Sequence, residues 1–562
     1  MKKILFIKIL FLFFLPLYGN ENSVQWEKIL HYYHNENQII SNEFFLSSSI
    51  NPTPKEELTT TKNLLLGKNG YEIACSFPAR YEYLKTNFSE IPNFDLTQCK
   101  DLNTYINSFP KDKLSIVFTS EYTNNPSSAF GHIMLLFSKD NTPLEIGDVV
   151  HFAAKTSTDD NFFKYSYKGF TGKYNGYFLR EPFFKKIYEY NTLEQRYMYI
   201  YTLNLSKEEI KTILYHLFEL RKATFKYYFL DGNCASQTTD LLNIIMPNND
   251  KKQNSYYLPI QTVQDFETRI EKKDRFIPLI NKLNLLVQKM STDEKYLFNE
   301  IIETKKEINN NTPDIVKEAA TIHTTFNFRT FHKVDKNYEN IMTQTFTKEN
   351  INDNSPEPLL KTKPSNLGIG YYANKNESYA LFQYRPLFLD LYDIQYNDLQ
   401  ESQTNTLTFD LLINEEKLKL NKFDILNIKS LPLQTNYYNP ISWTVYTGFN
   451  RENIKENLVF NNQIGIGRTL GINYATRVSF LLNAGSDNLN YYLKPDLLFN
   501  FFTSSNSKVG ILSSYKQYNG EYFYQNNLYL SYKYKDYLLT SEYIYDNSEN
   551  KNKYLISLKY NF

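Results

Sequence analysis

The sequence predicts an α+β domain with flanking helices, followed by an antiparallel transmembrane β-barrel of about 12 strands. Three observations carry this expectation. A basic and apolar leader marks the chain for export. Beyond it no apolar stretch is long enough for a membrane helix, and past about Asn366 alternating segments of strand length run to the last residue.

The leader reads Met1-Lys2-Lys3, then an apolar run over residues 4–17 broken only by Lys8, with Gly19 as the small residue at a cleavage point. This pattern predicts a signal peptide over residues 1–19. The run falls short of the roughly 20 apolar residues of a spanning helix, so any membrane span has to be β-stranded. With 62 basic and 61 acidic residues the net charge is +1, which gives no electrostatic case for nucleic acid as a partner. The 48 Tyr and 42 Phe suit a protein that meets a membrane interface.

Residues 20–112 read as a helical N-terminal segment, with helical stretches at 58–66 and 81–84. A thiol domain is expected over 113–250. Its strands are predicted at 114–119, 131–138 and 144–154, followed by an aromatic stretch at 162–190. A helix at 207–218 has Ser206 as N-cap, and a second helix from Cys234 to Ile245 is stopped by Pro247. Residues 257–306 read as helical, inside a helical extension over 251–349, and 350–365 read as a polar linker. The barrel is expected over 366–562. In its last segment Tyr554, Ile556, Leu558, Tyr560 and Phe562 share one face, while Ser557, Lys559 and Asn561 share the other. Leu528, Leu530, Tyr532 and Tyr534 repeat the pattern against Asn527, Ser531 and Lys533. A soluble sandwich also alternates, but export and a terminal aromatic that completes the outward stripe favour an outer-membrane barrel.

Three cysteines leave one over after a single disulfide. Three pairings are possible, and Cys75 with Cys99 is favoured because the two lie close together in one exported segment. Cys234 then remains a thiol. It follows Asp231, Gly232 and Asn233, a turn and an N-cap, so it opens a helix whose positive end favours thiolate. A thiolate nucleophile needs a base, and His132 opens the strand at 131–138. A hairpin centred between Asn141 and Thr142 places His151 directly opposite His132, on the same side of the sheet. Ser127 and Ser128 shape the loop beside His132, and Ser128, Asn233, Tyr174 and Tyr177 are candidate substrate-binding residues. No HExxH, CxxC or Gly-rich phosphate loop is present, and the His31 to His34 spacing alone is weak, so no metal and no cofactor is expected.

Several motifs together resemble the periplasmic domain of the Lnb-type lipoprotein N-acyltransferases. They are residues 126–132 (PSSAFGH), the glycine and aromatic stretch around Gly169, Gly172 and Gly176, residues 181–196, and residues 228–234. Residues 75–81 look like that family's upstream element. The resemblance implies a permuted papain-like thiol fold, similar to lecithin retinol acyltransferase, in which Cys234 is the nucleophile, His132 the base and His151 a possible third residue. It also implies acyl chemistry on a membrane phospholipid or lipoprotein substrate at the outer membrane, with the thiol domain in the periplasm. Tyr165, Tyr167, Phe170, Tyr174, Tyr177 and Phe178 would line an acyl groove. Lnb-type enzymes continue into transmembrane helices, whereas this chain is expected to continue into a barrel. Two other readings remain: a cysteine amidase or peptidase acting on peptidoglycan or peptide, and a non-enzymatic barrel with a binding domain.

Overall fold

The structure is a computed structural model describing residues 21–562 except 34–35, 123–129, 158, 161, 247–255, 305, 332–337, 354, 356, 361–362, 388, 397–399, 474, 489, 519 and 549–550. The expected signal peptide, His34, Ser127, Ser128 and Pro247 lie outside the described residues. Contacts divide the chain into two compact units. The first holds Met1–Ile116, Ile133–Phe183 and Tyr201–Lys272; the second holds Val117–His132, Phe184–Ile200 and Lys273–Phe562.

The first unit includes helices α1 (Pro54–Leu66) and α2 (Pro78–Asn87). Thr53 starts α1 with a capping box: its hydroxyl accepts from the Glu56 amide while the Glu56 carboxylate accepts from the Thr53 amide. Cys75 and Cys99 form the disulfide expected from their proximity. Arg80 of α2 is wholly buried, 2.7 Å from Glu57 and 3.6 Å from Glu219, with its guanidinium over the rings of Phe44 and Phe77. Burial pulls this guanidinium's pKa down, and Glu219 and Glu57 push it back up.

A seven-stranded sheet follows, from β1 (Lys113–Thr119), β2 (His132–Ser138), β3 (Asp148–Ala154), β4 (Tyr174–Pro182), β5 (Met198–Leu203), β6 (Phe225–Tyr227) and β7 (Ile270–Phe276), in the order β6-β4-β3-β2-β1-β5-β7. Beyond the first residue of β1 and of β2, every residue of β1, β2 and β5 is buried, as in strands covered on both faces. Helix α3 (Phe162–Phe170) lies between β3 and β4 in the chain, α4 (Lys207–Leu220) between β5 and β6, and α5 (Cys234–Asn243) after β6. Together with the helices before it, this is an α+β region.

Two sequence expectations need correction here. Residues 257–306 are not helical throughout, because β7 interrupts them. Its Glu, Lys, Asp and Arg side chains belong on an edge strand, where charge guards against pairing with another chain, and they hid the strand from hydrophobic patterning. The third strand begins at Asp148 rather than 144, since Leu144–Ile146 forms a 3-10 turn. Leu135 therefore faces Val150 and Phe137 faces Asp148. His151 falls opposite Met134, two positions from the expected partner. The shift is even, so His132 and His151 keep the same strand parity.

In the second unit, helices α6 (Leu279–Lys289), α7 (Thr292–Thr304) and α8 (Asp314–Phe331) pack around Leu283, Leu286, Phe298, Ile301, Val316 and Ala319. The expected linker is pinned here: Tyr197 shares a 2.8 Å hydrogen bond with Ser355, and Arg275 lies 3.5 Å from Asp353. Among the described residues, twelve strands then close into an antiparallel barrel. They are β8 (Asn366–Asn374), β9 (Ser378–Arg385), β10 (Gln400–Ile413), β11 (Leu418–Gln434), β12 (Ser442–Asn450), β13 (Val459–Asn473), β14 (Thr476–Asp487), β15 (Asn490–Ser504), β16 (Ser507–Gln517), β17 (Tyr522–Tyr534), β18 (Tyr537–Asp546) and β19 (Asn552–Asn561). The seam pairs β8 with β19, placing Leu367 opposite Tyr560 and Ile369 opposite Leu558. The predicted stripe of Tyr554, Ile556, Leu558, Tyr560 and Phe562 is exposed, whereas Ser557, Lys559 and Asn561 are buried inside. A closed sheet with an apolar outside leaves no backbone group unpaired toward lipid. The turn between β11 and β12 carries Tyr437, whose hydroxyl donates to Asn299 of α7 at 3.2 Å and whose ring packs on Phe298.

Candidate functional site

Cys234 is the first residue of α5 and is 3 % exposed. The turn that presents it is built from one close approach and one left-handed glycine. Phe229 lies so near Gly169 that a Cβ there would stand 2.2 Å from its ring, and the Phe229 amide donates to the Gly169 carbonyl at 3.0 Å. Gly232 turns the chain at φ +69°, which a side chain would strain. The glycine and aromatic stretch noted in the sequence thus holds the turn before the thiol. Gly169→Ala is expected to cost about 1–3 kcal/mol through overpacking. It should also quicken modification of Cys234 by a thiol reagent, measured against wild type in the same detergent.

Asn233 caps α5. Its Oδ1 accepts from the amides of Ala235 and Ser236 at 2.8 and 3.1 Å, and its Nδ2 donates to the carbonyls of Phe229, Leu230 and Tyr257. Both ends of the amide are committed to the turn, so Asn233 shapes the site. With the helix behind it, the Cys234 sulfur stands at the positive end of ten residues of aligned peptide dipoles.

Helix α5 packs against β3, the strand that carries His151. His151 is 4 % exposed, and its Nε2 is 2.9 Å from Glu181 Oε2. Glu181 sits on β4 opposite Val149, so it and His151 occupy neighbouring positions on one face. Tyr177, opposite Ala153, shares that face, whereas Tyr174 falls on the other by strand alternation. Tyr174 is buried and donates to Asp160 at 2.7 Å. Hydrogen bonds from Lys168, Tyr174 and Lys164 hold the Asp160 carboxyl well below its ordinary value. Of the expected groove residues, Tyr165 packs on Tyr174 and Phe229, and Phe170 packs on Phe229.

His132 belongs to the second unit, where its ring lies 5.7 Å from Tyr190. Tyr190 stands on a π-helical turn, Ile187–Leu193, a rare conformation that recurs at functional sites. Arg196 lies over the same ring, and its Nε, Nη2 and Nη1 donate to the Ser120 carbonyl, the Thr119 hydroxyl and Glu194 at 2.6, 2.9 and 2.7 Å. The Thr119 hydroxyl donates in turn to the His132 carbonyl at 3.4 Å. Burial pushes the Glu194 carboxyl up, partly offset by Arg196. His31 takes no part in this site: its Nε2 is 3.0 Å from that of His216 in a buried stack.

Sequence reasoning missed Glu181, Tyr190 and Arg196 as site residues. The single acid of its strand, next to Arg180, was the available signal for Glu181. Tyr190 and Arg196 depend on a π turn that no periodicity announces.

Three family models match parts of the chain. Residues 101–269 match the family model of the Lnb N-terminal periplasmic domain. Residues 356–533 and 21–87 match two domains of unknown function (DUF7840 and DUF7843). No curated protein matches the chain. Among solved structures, the KdgM porin aligns at 11 % identity over 35 % of this chain and 99 % of its own, with a TM-score of 0.23. An outer membrane channel of Pseudomonas putida F1 aligns at 10 % identity over 37 % of this chain and 99 % of its own, again at 0.23. The barrel assignment rests on strand register and the outward apolar stripe. The chain carries an Lnb-type N-terminal periplasmic domain, at residues 101–269, on a closed twelve-stranded outer-membrane barrel.

Proposed function

We propose that the periplasmic domain is a cysteine acyltransferase or lipid acyl hydrolase that works through an acyl thioester, with lipoproteins among its acceptors. The observation that carries the reading is the packing of α5, which opens on Cys234, against β3, where His151 is held by Glu181. In this scheme His132 takes the thiol proton, and the Cys234 sulfur attacks the ester carbonyl of a membrane phospholipid. The ester C–O bond then breaks, and the leaving alcohol takes the proton from the imidazolium. An amine or water next attacks the thioester, passing its proton to the imidazole as the thiolate departs. His151, oriented by Glu181, is the positioning residue for this cycle. Tyr177, on the same face, and Ser128, four residues before His132 in the sequence, remain the residues we assign to substrate contact.

The test incubates the full chain, in detergent or proteoliposomes, with phospholipid labelled in its acyl chains. A hydroxylamine-sensitive label on wild type but not on Cys234→Ser is expected. Absence of label together with cleavage of cell-wall fragments would instead point to an amidase. Unchanged phenotypes in a Cys234→Ser strain would remove both enzymes and leave a binding domain.

A further inference from the structure

In the second unit the helix bundle and the barrel wall meet at the turn between β11 and β12. Strand β8 leaves the periplasmic side, so β9 and β11 return to it, and this turn lies there. Its Tyr437 packs on Phe298 and His323, and its Tyr438 meets Phe326 of α8 edge-on at 6.0 Å. Ile441, just before β12, is 50 % exposed, and Trp443 follows on the outward face of that strand by alternation. Past Phe326 the helix runs on to Phe328 and Phe331, and the Phe331 ring stands 5.8 Å from that of Phe326. Arg329, between them, meets the π-helical turn. Its carbonyl accepts from the Tyr188 hydroxyl at 3.3 Å, and its guanidinium lies over the Tyr188 ring. Phe184, four residues before Tyr188, belongs to the helix Phe183–Lys186 that leads into this turn.

Phe184, Phe331, Phe328 and Tyr188 are 55, 54, 39 and 38 % exposed. Four large rings on two touching elements, with exposed Lys185 and Arg329 among them, form an aromatic and basic patch rather than scattered surface residues. That composition suits the boundary of a bilayer, where rings sit between hydrocarbon and headgroups and cations meet the phosphates. A bilayer is at hand, because the barrel spans the outer membrane and Phe326 fixes this end of α8 to the periplasmic rim of the wall. We infer that Phe184, Tyr188, Phe328 and Phe331 dock onto the phospholipid of the inner leaflet of the outer membrane. They carry the lipid-facing surface of the wall, at Ile441 and Trp443, on into the periplasmic bundle. Docking also brings lipid close to His132, because Tyr190, against which its ring lies, follows Tyr188 by two residues on the same π turn. The inference rests on the barrel and the patch, and not on the acyl chemistry proposed above.

The test places the full chain in vesicles of phosphatidylethanolamine and phosphatidylglycerol, with or without phospholipid brominated near the headgroup, and reads the quenching of tryptophan emission. Trp26→Phe leaves Trp443 as the lipid-facing reference, and Trp443→Phe leaves Trp26, 3 % exposed, as the shielded one. With both replaced, Phe331→Trp and Phe184→Trp each put one indole into the patch, from different helices. Heat-dependent gel migration checks that every barrel is folded. Both introduced indoles are expected to be quenched to within about twofold of Trp443, while Trp26 is not. The same quenching is expected in a Cys234→Ser background, which separates docking from catalysis. Emission unchanged by brominated lipid at both positions would overturn the inference. So would indoles that escape the brominated lipid yet are hidden from aqueous acrylamide, since a second copy or another protein would then cover the patch.

Discussion

Replacing Cys234 by alanine is expected to lower acyl transfer by on the order of 10⁴-fold or more, because no other group stands ready to form the covalent intermediate. The thiol is buried at a capped helix start, and the remaining two cysteines are held in their disulfide. Glu181→Gln should do far less. A charge-assisted hydrogen bond contributes about 1.5–3 kcal/mol. The Glu181 side chain is 33 % exposed, so water screens the pair, and roughly tenfold is the expected loss. His132→Ala should approach the cysteine variant. The three rates, measured on one labelled phospholipid, sort nucleophile, base and positioning residue. A Glu181 variant as dead as the cysteine variant would overturn its role as a positioning residue.

Arg80→Ala is expected to destabilise the first unit by about 3–5 kcal/mol, since it strands two buried carboxylates without their cation. Replacing the whole trio by apolar residues should fail to restore stability here, in contrast to simple buried ion pairs. Glu57 accepts from the amides of Leu46 and Ser47, and Glu219 from those of Ala79 and Arg80, so four backbone donors would lose their partners. The chain has two tryptophans, Trp26 and Trp443. In a Trp443→Phe background the buried Trp26 reports the unfolding of this unit alone, and urea titration of its fluorescence in detergent measures the shift. Recovery of the wild-type midpoint by an apolar trio would show that the carboxylates serve only the ion pairs.

The barrel was readable because its strands expose one face to lipid and turn the other inward. Tyr554 to Phe562 show that contrast at every second residue. The start of α5 was readable for a local reason: Asn233 caps the residues immediately after it. Features resting on distant partners were not. The 3-10 turn at Leu144–Ile146 moved the β2–β3 pairing by two positions, and nothing in the alternation of either strand records the turn's length. Glu181 meets His151 across 30 residues of chain. Strand β7 escaped notice because an edge is defined by what lies beyond it.

The order of the cysteines bears on how the thiol survives its own delivery. Cys75 and Cys99 are neighbours along the chain, 24 residues apart, and Cys234 comes 135 residues later. A chain crossing the inner membrane from its N-terminus presents the first two sulfurs to the oxidising machinery together, while the third is still inside. Consecutive pairing is the outcome that such vectorial oxidation favours. By the time Cys234 arrives its only possible mates are already spent on each other, and burial within α5 then hides it from small oxidants. The thiol we propose as nucleophile would owe its reduced state to timing as much as to shelter.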